Sequence, residues 1–248
     1  MVVRLPRARF LVEELPASGE AAVLPAAEAA HARARRLRPG DAVLLYDGSG
    51  REAPGVVTRM ERGRWKITVE QVETGAASGP DITLYVAGVR PERLSWIAEK
   101  ATELSARRLT IVRTARTQAF RASEGAQARL ERVARAAAKQ SGSARWPELS
   151  GPHLLARVLE QERARHRIFL DASGDVFPPR LPEGDLAILV GPEGGWTDAE
   201  RMAARDHGWS PIALPAGNLR AETAAVAALV LARAALEVGK RETGNGKR

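Results

Sequence analysis

The stretch Leu189-Val190-Gly191-Pro192-Glu193-Gly194-Gly195-Trp196, followed by Leu214-Pro215-Ala216-Gly217-Asn218-Leu219-Arg220-Ala221-Glu222-Thr223-Ala224, decides how this chain folds. In each half an apolar strand runs into a Gly/Pro-rich loop and then into a helix. Loops of that composition leave backbone N–H and C=O groups open to a ligand, because no side chain blocks the approach. Two such loops at the carboxyl ends of two strands make a pocket for a small molecule. The first loop has neither the G-x-G-x-x-G nor the Walker spacing, which argues against a dinucleotide or nucleoside triphosphate. Thr197, with Glu200 three residues on, reads as the N-cap and capping box of the next helix.

Outward from these loops, residues 81–240 alternate strands and helices. Strands are expected at 82–87, 109–112, 167–170, 186–190 and 211–214. Helices are expected at 91–104, 124–140, 154–163, 198–206 and 222–236. That rhythm implies a parallel sheet with helices on both faces, an α/β domain. Residues 1–75 read differently, as a small β-barrel domain built from short strands at 42–46, 55–60 and 65–70. These are separated by the turn signals Asp47-Gly48-Ser49-Gly50 and Glu61-Arg62-Gly63-Arg64. The small-residue run 75–80 is the expected linker, and the Gly/Lys/Arg-rich tail from Gly239 is expected to be disordered.

Composition narrows the function. The 248 residues are 44% hydrophobic and 27% charged, a balance ordinary for a globular protein. No apolar run approaches the roughly 18 residues of a membrane helix, and residues 1–7 lack a signal-peptide core. There is no cysteine, which excludes disulfides and thiolate metal sites and suits a cytoplasmic location. The histidines His31, His153, His166 and His207 are scattered, so no metal is expected. The net charge is +8, and residues 88–145 alone hold 13 Lys/Arg against five Asp/Glu. A basic segment of that kind attracts polyanions such as nucleic acid. Phe10 and Trp146 are aromatic enough to stack on bases, although burial is the commoner fate of such residues.

The loops and several further strings resemble the RsmE family of SPOUT methyltransferases. The resemblance is carried by Gly191-Pro192-Glu193-Gly194-Gly195-Trp196 with Glu200, by Leu219-Arg220-Ala221-Glu222-Thr223-Ala224, and by Lys100-Ala101-Thr102-Glu103-Leu104. It extends through Gln140-Ser141-Gly142 with Pro147-Glu148, and through Arg9-Phe10 with His31, Arg36 and Gly40. These strings run in order over almost the whole chain. The chain departs from the family pattern at five positions. Gly217 stands where Arg is usual, Asn218 where an aliphatic residue is usual, Ser105 for Gly, Ser143 for Arg, and Arg35 for Leu.

The resemblance implies a SPOUT-type parallel sheet with a trefoil knot near the C-terminus and a PUA-like N-terminal barrel. It implies S-adenosylmethionine-dependent methylation of N3 of a uridine in 16S ribosomal RNA, on the free RNA or the small ribosomal subunit, by a homodimer. The expected cofactor-binding residues are Leu189, Val190, Gly191, Glu193, Gly194, Leu214, Asn218 and Leu219. Arg220 and Glu222 are the expected catalytic residues, and Arg9, Arg36, Arg90, Arg93, Arg116 and Arg145 the expected RNA contacts. Gly217 and Asn218 keep open a second reading, a non-catalytic RNA-binding or ribosome-assembly protein on the same scaffold.

Overall fold

The computed structural model describes residues 6–61, 64–74, 81–117 and 124–245. The expected linker at 75–80 and the centre of the turn at 61–64 lie outside them. The chain forms two compact units.

The first unit comprises Met1–Ser78 and Arg135–Trp146. Its strands are β1 (Arg9–Leu11), β2 (Ala21–Val23), β3 (Ala42–Tyr46), β4 (Arg51–Glu61), β5 (Arg64–Val69) and β6 (Glu73–Thr74), with α1 (Ala26–Ala34) after β2. They form one mixed half-barrel sheet in the order β1-β3-β4-β5-β2, and β6 pairs with β4. β1 runs parallel to β3, and the remaining pairs are antiparallel. Phe10, Leu45, Trp65 and Ile67 fill the core beneath the sheet. β1, β2 and α1 were not expected from the sequence. At three residues each, the two strands are too short to show an alternation.

The second unit, Gly79–Ala134 with Pro147–Arg248, contains a parallel sheet. Its strands are β7 (Ile82–Ala87), β8 (Arg108–Arg113), β9 (Glu148–Leu154), β10 (His166–Val176), β11 (Leu186–Val190) and β12 (Ser210–Ala213). The order is β12-β10-β11-β7-β8-β9, and every neighbouring pair is parallel. The helices are α2 (Pro91–Glu103), α3 (Glu124–Ser141), α4 (Leu155–Gln161), α5 (Asp198–Asp206) and α6 (Ala221–Asn245). The last turns of α3 belong to the first unit. β11 shows why the sheet needs cover on both sides. Leu186, Ile188 and Val190 enter the core shared with α2 and α6, while Ala187 and Leu189 enter the core shared with α4 and α5.

β9 was missed because Gly151 and Pro152 interrupt it. It is an edge strand, where proline is tolerated. A Cβ at Gly151 would lie 2.3 Å from the Ile111 carbonyl oxygen, so glycine is what lets β9 approach β8. The tail expectation is corrected: α6 runs on from Gly239 to Asn245 instead of stopping near Leu236. Gly239 is buried where α6 passes the Leu181 carbonyl, and a Cβ there would sit 1.9 Å from that oxygen. Its glycine therefore marks a close approach, not an end. Among the described residues, no helix is long and apolar enough to cross a membrane.

α5 begins as its sequence indicates. The Thr197 hydroxyl accepts from the Glu200 N–H at 3.2 Å, and the Thr197 N–H donates to Glu200 Oε2 at 2.8 Å. Thr197→Ala is expected to cost about 1 kcal/mol and to lower the thermal midpoint by about 2–4 °C. Thermal unfolding followed by circular dichroism checks this.

Candidate functional site

β12, β10 and β11 stand side by side, so their carboxyl ends open onto one space, a cleft of about 270 Å³ in the second unit. One wall is the loop after β11, contributing Gly191, Pro192, Glu193, Gly195 and Trp196. The facing wall is the loop after β12, contributing Leu214, Ala216, Gly217, Asn218 and Leu219. Leu170, Asp171 and Ala172 of β10 form the floor between them. Crevices at the carboxyl ends of parallel strands are where open α/β sheets bind small ligands.

The first loop is shaped by its own residues. The Gly195 N–H closes a turn on the Pro192 carbonyl at 2.8 Å, with Gly195 at φ +67°, a value that favours glycine. Trp196 folds back and is buried. Its indole N–H donates to the Leu170 carbonyl at 2.8 Å, and its ring meets Phe169 edge to face with centroids 6.2 Å apart. Gly191 lies on that indole, since a Cβ there would sit 2.8 Å from the ring. The loop is thereby fastened to β10, the strand beside it.

Two arginines brace the loop from elsewhere in the unit. Arg116 Nη1 donates to the Gly194 carbonyl at 2.6 Å, and the neighbouring Ala115 N–H donates to Glu200 Oε1 at 2.8 Å. Arg93, in the first turn of α2, forms an ion pair with Glu193, and its Nε lies 3.5 Å from Glu222 Oε1. The other Glu222 oxygen, Oε2, is buried without a hydrogen-bond partner.

Asp171 is the buried charge of the floor. Its Oδ1 accepts from the Ser173 N–H and hydroxyl at 2.8 and 2.6 Å, and its Oδ2 accepts from Arg201 Nε at 2.7 Å. Burial by itself would raise this carboxyl. The Ser173 hydrogen bonds and the Arg201 guanidinium outweigh it and hold Asp171 below the usual carboxylate range. Arg201 also donates to the Trp196 carbonyl at 2.9 Å, so the floor and the first loop share one network.

Of the expected cofactor-binding residues, Val190, Gly191, Glu193, Leu214, Asn218 and Leu219 line the cleft. Leu189 does not. Its side chain is buried in the core against α4 and α5, because successive strand residues point to opposite faces. Gly194 stands behind the wall, against Arg116. Arg220 is exposed at the start of α6, and Glu222 is turned toward Arg93, so neither is among the lining residues. Sequence reasoning did not find Asp171 or Arg201, since nothing in their local sequence marks a ligand site.

The expected RNA contacts divide by exposure. Arg36, Arg90 and Arg116 are exposed. Arg145 is buried and is corrected from a surface contact to an interior residue of the first unit. Arg9 is half-buried, paired with Glu52 and lying over the Tyr46 ring at 5.2 Å. Arg93 is committed to the two carboxylates. Phe10 is fully buried, whereas Trp146 is half-buried beneath the Arg135 guanidinium at 5.1 Å. No group of three or more His, Asp or Glu that could hold a metal occurs among the described residues.

Residues 77–233 match the family model of an RNA methyltransferase domain, and residues 24–70 match that of an RNA methyltransferase PUA domain. A ribosomal RNA small subunit methyltransferase E from Mycobacterium bovis is 34% identical over 233 residues, covering 89% of this chain and 88% of that one. The chain belongs to the RsmE family of SPOUT methyltransferases. A ribosomal RNA small subunit methyltransferase E from Neisseria gonorrhoeae, solved bound to S-adenosyl methionine, superposes with a TM-score of 0.75. It is 25% identical, with 90% of this chain and 94% of that one covered. A probable rRNA-methyltransferase from Porphyromonas gingivalis gives a TM-score of 0.81 at 27% identity, covering 94% and 99%.

Against the RsmE family pattern, two departures have structural readings. Ser105, where glycine is usual, follows α2 with φ 54°, the left-handed conformation that glycine takes without cost. The Ser105 carbonyl accepts from Arg233 Nη2 at 2.5 Å. At Gly217 a Cβ would meet no atom within 4 Å, so this departure leaves the cleft open.

The Asp171 carboxyl lies lower in the folded chain than in the unfolded one. It therefore contributes stability above the ordinary carboxylate pKa of about 3.9, and that stability is lost as pH falls through the depressed value. Asp171→Asn is expected to lower the thermal midpoint at neutral pH and to converge with the unsubstituted protein as pH falls through that value. Melts stepped down from about pH 6 check this.

Proposed function

We propose that the chain methylates N3 of a uridine in 16S ribosomal RNA of the small subunit, using S-adenosylmethionine bound in the cleft between the two loops. The observation that carries this reading is the cleft itself, at the carboxyl ends of β12, β10 and β11. Its residues fit the group. Val190, Ile212 and Leu214 offer apolar contact to a purine. The glycine backbone at Gly191 and Gly195 offers N–H and C=O groups at close range, and Glu193 and Asp171 place carboxylates near a ligand that carries hydroxyls, an amino group and a positive sulfur. The Neisseria relative solved with S-adenosyl methionine has the same fold.

When bound, the cofactor supplies a methyl group already activated on a sulfonium. The work left to the chain is alignment of the uracil nitrogen with that methyl and control of charge on the uracil. Val190, Gly191, Leu214 and Leu219 would hold the ligand, and Glu193 would accept a hydrogen bond from its ribose or its amino group. The N3–H is weakly acidic, and its proton passes to solvent water. Asp171 is poorly suited to take it, since both its oxygens already accept hydrogen bonds and its carboxyl is held low. Arg220 is the only basic residue of the two loops, and its guanidinium stabilises the developing uracil anion. Exposed Arg36, Arg90 and Arg116 supply phosphate contacts. Working on ribosomal RNA, the protein is cytoplasmic, and the knot belongs to the same proposal. The assembly-protein reading would require a cleft closed by the departures at Gly217 and Asn218, and both residues line it.

Calorimetry with S-adenosylmethionine tests the reading: micromolar binding supports the enzyme, and absence of binding removes it. Arg220→Ala is expected to leave that binding in place while lowering methyl transfer to the 30S subunit or its RNA by about a hundredfold, the scale of one lost electrostatic donor. Undiminished turnover would take Arg220 out of the site.

α6 supports a homodimer as part of this proposal. Ala225, Ala228, Leu229, Ala232, Ala235 and Leu236 are buried within the unit, while Val230, Ala234 and Val238 on the outer side are exposed. An apolar stripe left on the solvent side of a helix suits a partner helix. Light scattering at micromolar concentration is expected to return twice the 26.7 kDa chain mass; a monomer mass would remove the dimer.

A further inference from the structure

β11 and β12 carry the two walls of the cleft, yet they are not neighbours. β10 lies between them in the sheet, which sets the strands about 10 Å apart. The ladders of β10 with both neighbours fix the spacing of the strands, and Trp196 fastens the first loop to β10. Neither contact reaches the start of α6 behind the second loop.

Arg93 is placed to reach it. It projects from the first turn of α2, a helix that packs against α6. Its guanidinium pairs with Glu193 of the first loop and lies 3.5 Å from Glu222, three residues beyond the second loop's Leu219. The Arg93 side chain is 25% exposed and that of Glu222 15%, so the pair is shielded from water and salt more than a surface ion pair is. Glu222 Oε2 has no hydrogen-bond partner. Its carboxylate therefore depends on Arg93 for compensation, and Glu222 is not among the residues that line the cleft.

We propose that Arg93 is a positioning residue of the cofactor site, bridging Glu193 and Glu222 so that the two loops keep the spacing S-adenosylmethionine requires. Glu222 then serves as its anchor and not as a general base. This rests on the reading of the cleft as the S-adenosylmethionine site. It also withdraws Arg93 from the RNA contacts, although the residue sits in the basic segment of the sequence.

The experiment measures two affinities on the full chain. S-adenosylmethionine binding is read by calorimetry, and RNA binding is read as the slope of log affinity against log salt. Arg93→Ala is expected to weaken S-adenosylmethionine about tenfold, the scale of a lost, partly shielded ion pair, with the RNA slope unchanged. Arg90→Ala, three residues earlier and exposed, is expected to do the reverse, lowering the slope by about one. If Arg93→Ala does not melt cooperatively, Glu222→Gln keeps the test decisive. It removes the anchor's charge while filling the same space, and it is expected to weaken S-adenosylmethionine severalfold while leaving the pH dependence of turnover in shape. Wild-type cofactor affinity in both variants overturns the proposal, as does a loss of about one in the RNA slope for Arg93→Ala. A lost acid limb in the Glu222→Gln pH profile with cofactor affinity intact overturns it too, since that marks a general base. Failure of the unsubstituted chain to bind S-adenosylmethionine removes the cofactor reading itself and this inference with it, whereas binding by the unsubstituted chain with no change in the variants removes the inference alone.

Discussion

The insertion of β10 between β11 and β12 is the constraint that governs the second unit. In a parallel sheet all strands point the same way, so their carboxyl ends emerge together, and three adjacent ends leave a trough one strand wide between the outer two loops. β10 supplies the floor of that trough, and Trp196 ties the first wall to it through the Leu170 carbonyl. The register of β10 shifts between Leu170 and Asp175 against β12. Asp171 lies in that irregular stretch, where a regular ladder would not bring two hydrogen bonds from Ser173 back to its carboxylate.

Charge in this protein is organised by burial more than by sequence density. Arginines of the basic segment take different parts once folded. Arg145 is interior and Arg93 serves two carboxylates, whereas Arg116 braces a loop through a backbone carbonyl and still faces solvent. Arginine suits these places because its planar group offers several donors in fixed directions and stays charged when partly buried. The segment's excess of positive charge is therefore only partly available to a polyanion, and the share facing solvent is smaller than the count of residues.

The sheet was legible in the sequence because burial on both faces leaves unbroken apolar runs. Leu186–Val190 is such a run and Ile82–Ala87 is broken only by Thr83, and the bounds 82–87 and 186–190 read from sequence coincide with the strands. Asp198–Asp206 was legible because a cap and a reciprocal carboxylate announce a helix locally. β9 was not, since Gly151 and Pro152 signal a turn unless an edge position makes them tolerable, and edge position is a property of the whole sheet. The continuation of α6 past Gly239 was hidden for a similar reason: a glycine chosen for contact with Leu181 looks the same in sequence as one chosen to end a helix.

The sequence by itself determined that two glycine-rich loops follow two strands, that neither is a nucleotide fingerprint, and which residues they contain. Those are short-range properties, written within a few residues of one another. Tertiary structure alone decided that Asp171 and Arg201 belong to the cleft, that Leu189 faces away from it, and that Arg93 reaches both Glu193 and Glu222. These depend on strand order and on the packing of α2 against α6. They bring together residues far apart in the chain, Asp171 with Arg201 and Arg93 with Glu193 and Glu222, and no local pattern encodes which distant partner a buried charge will find.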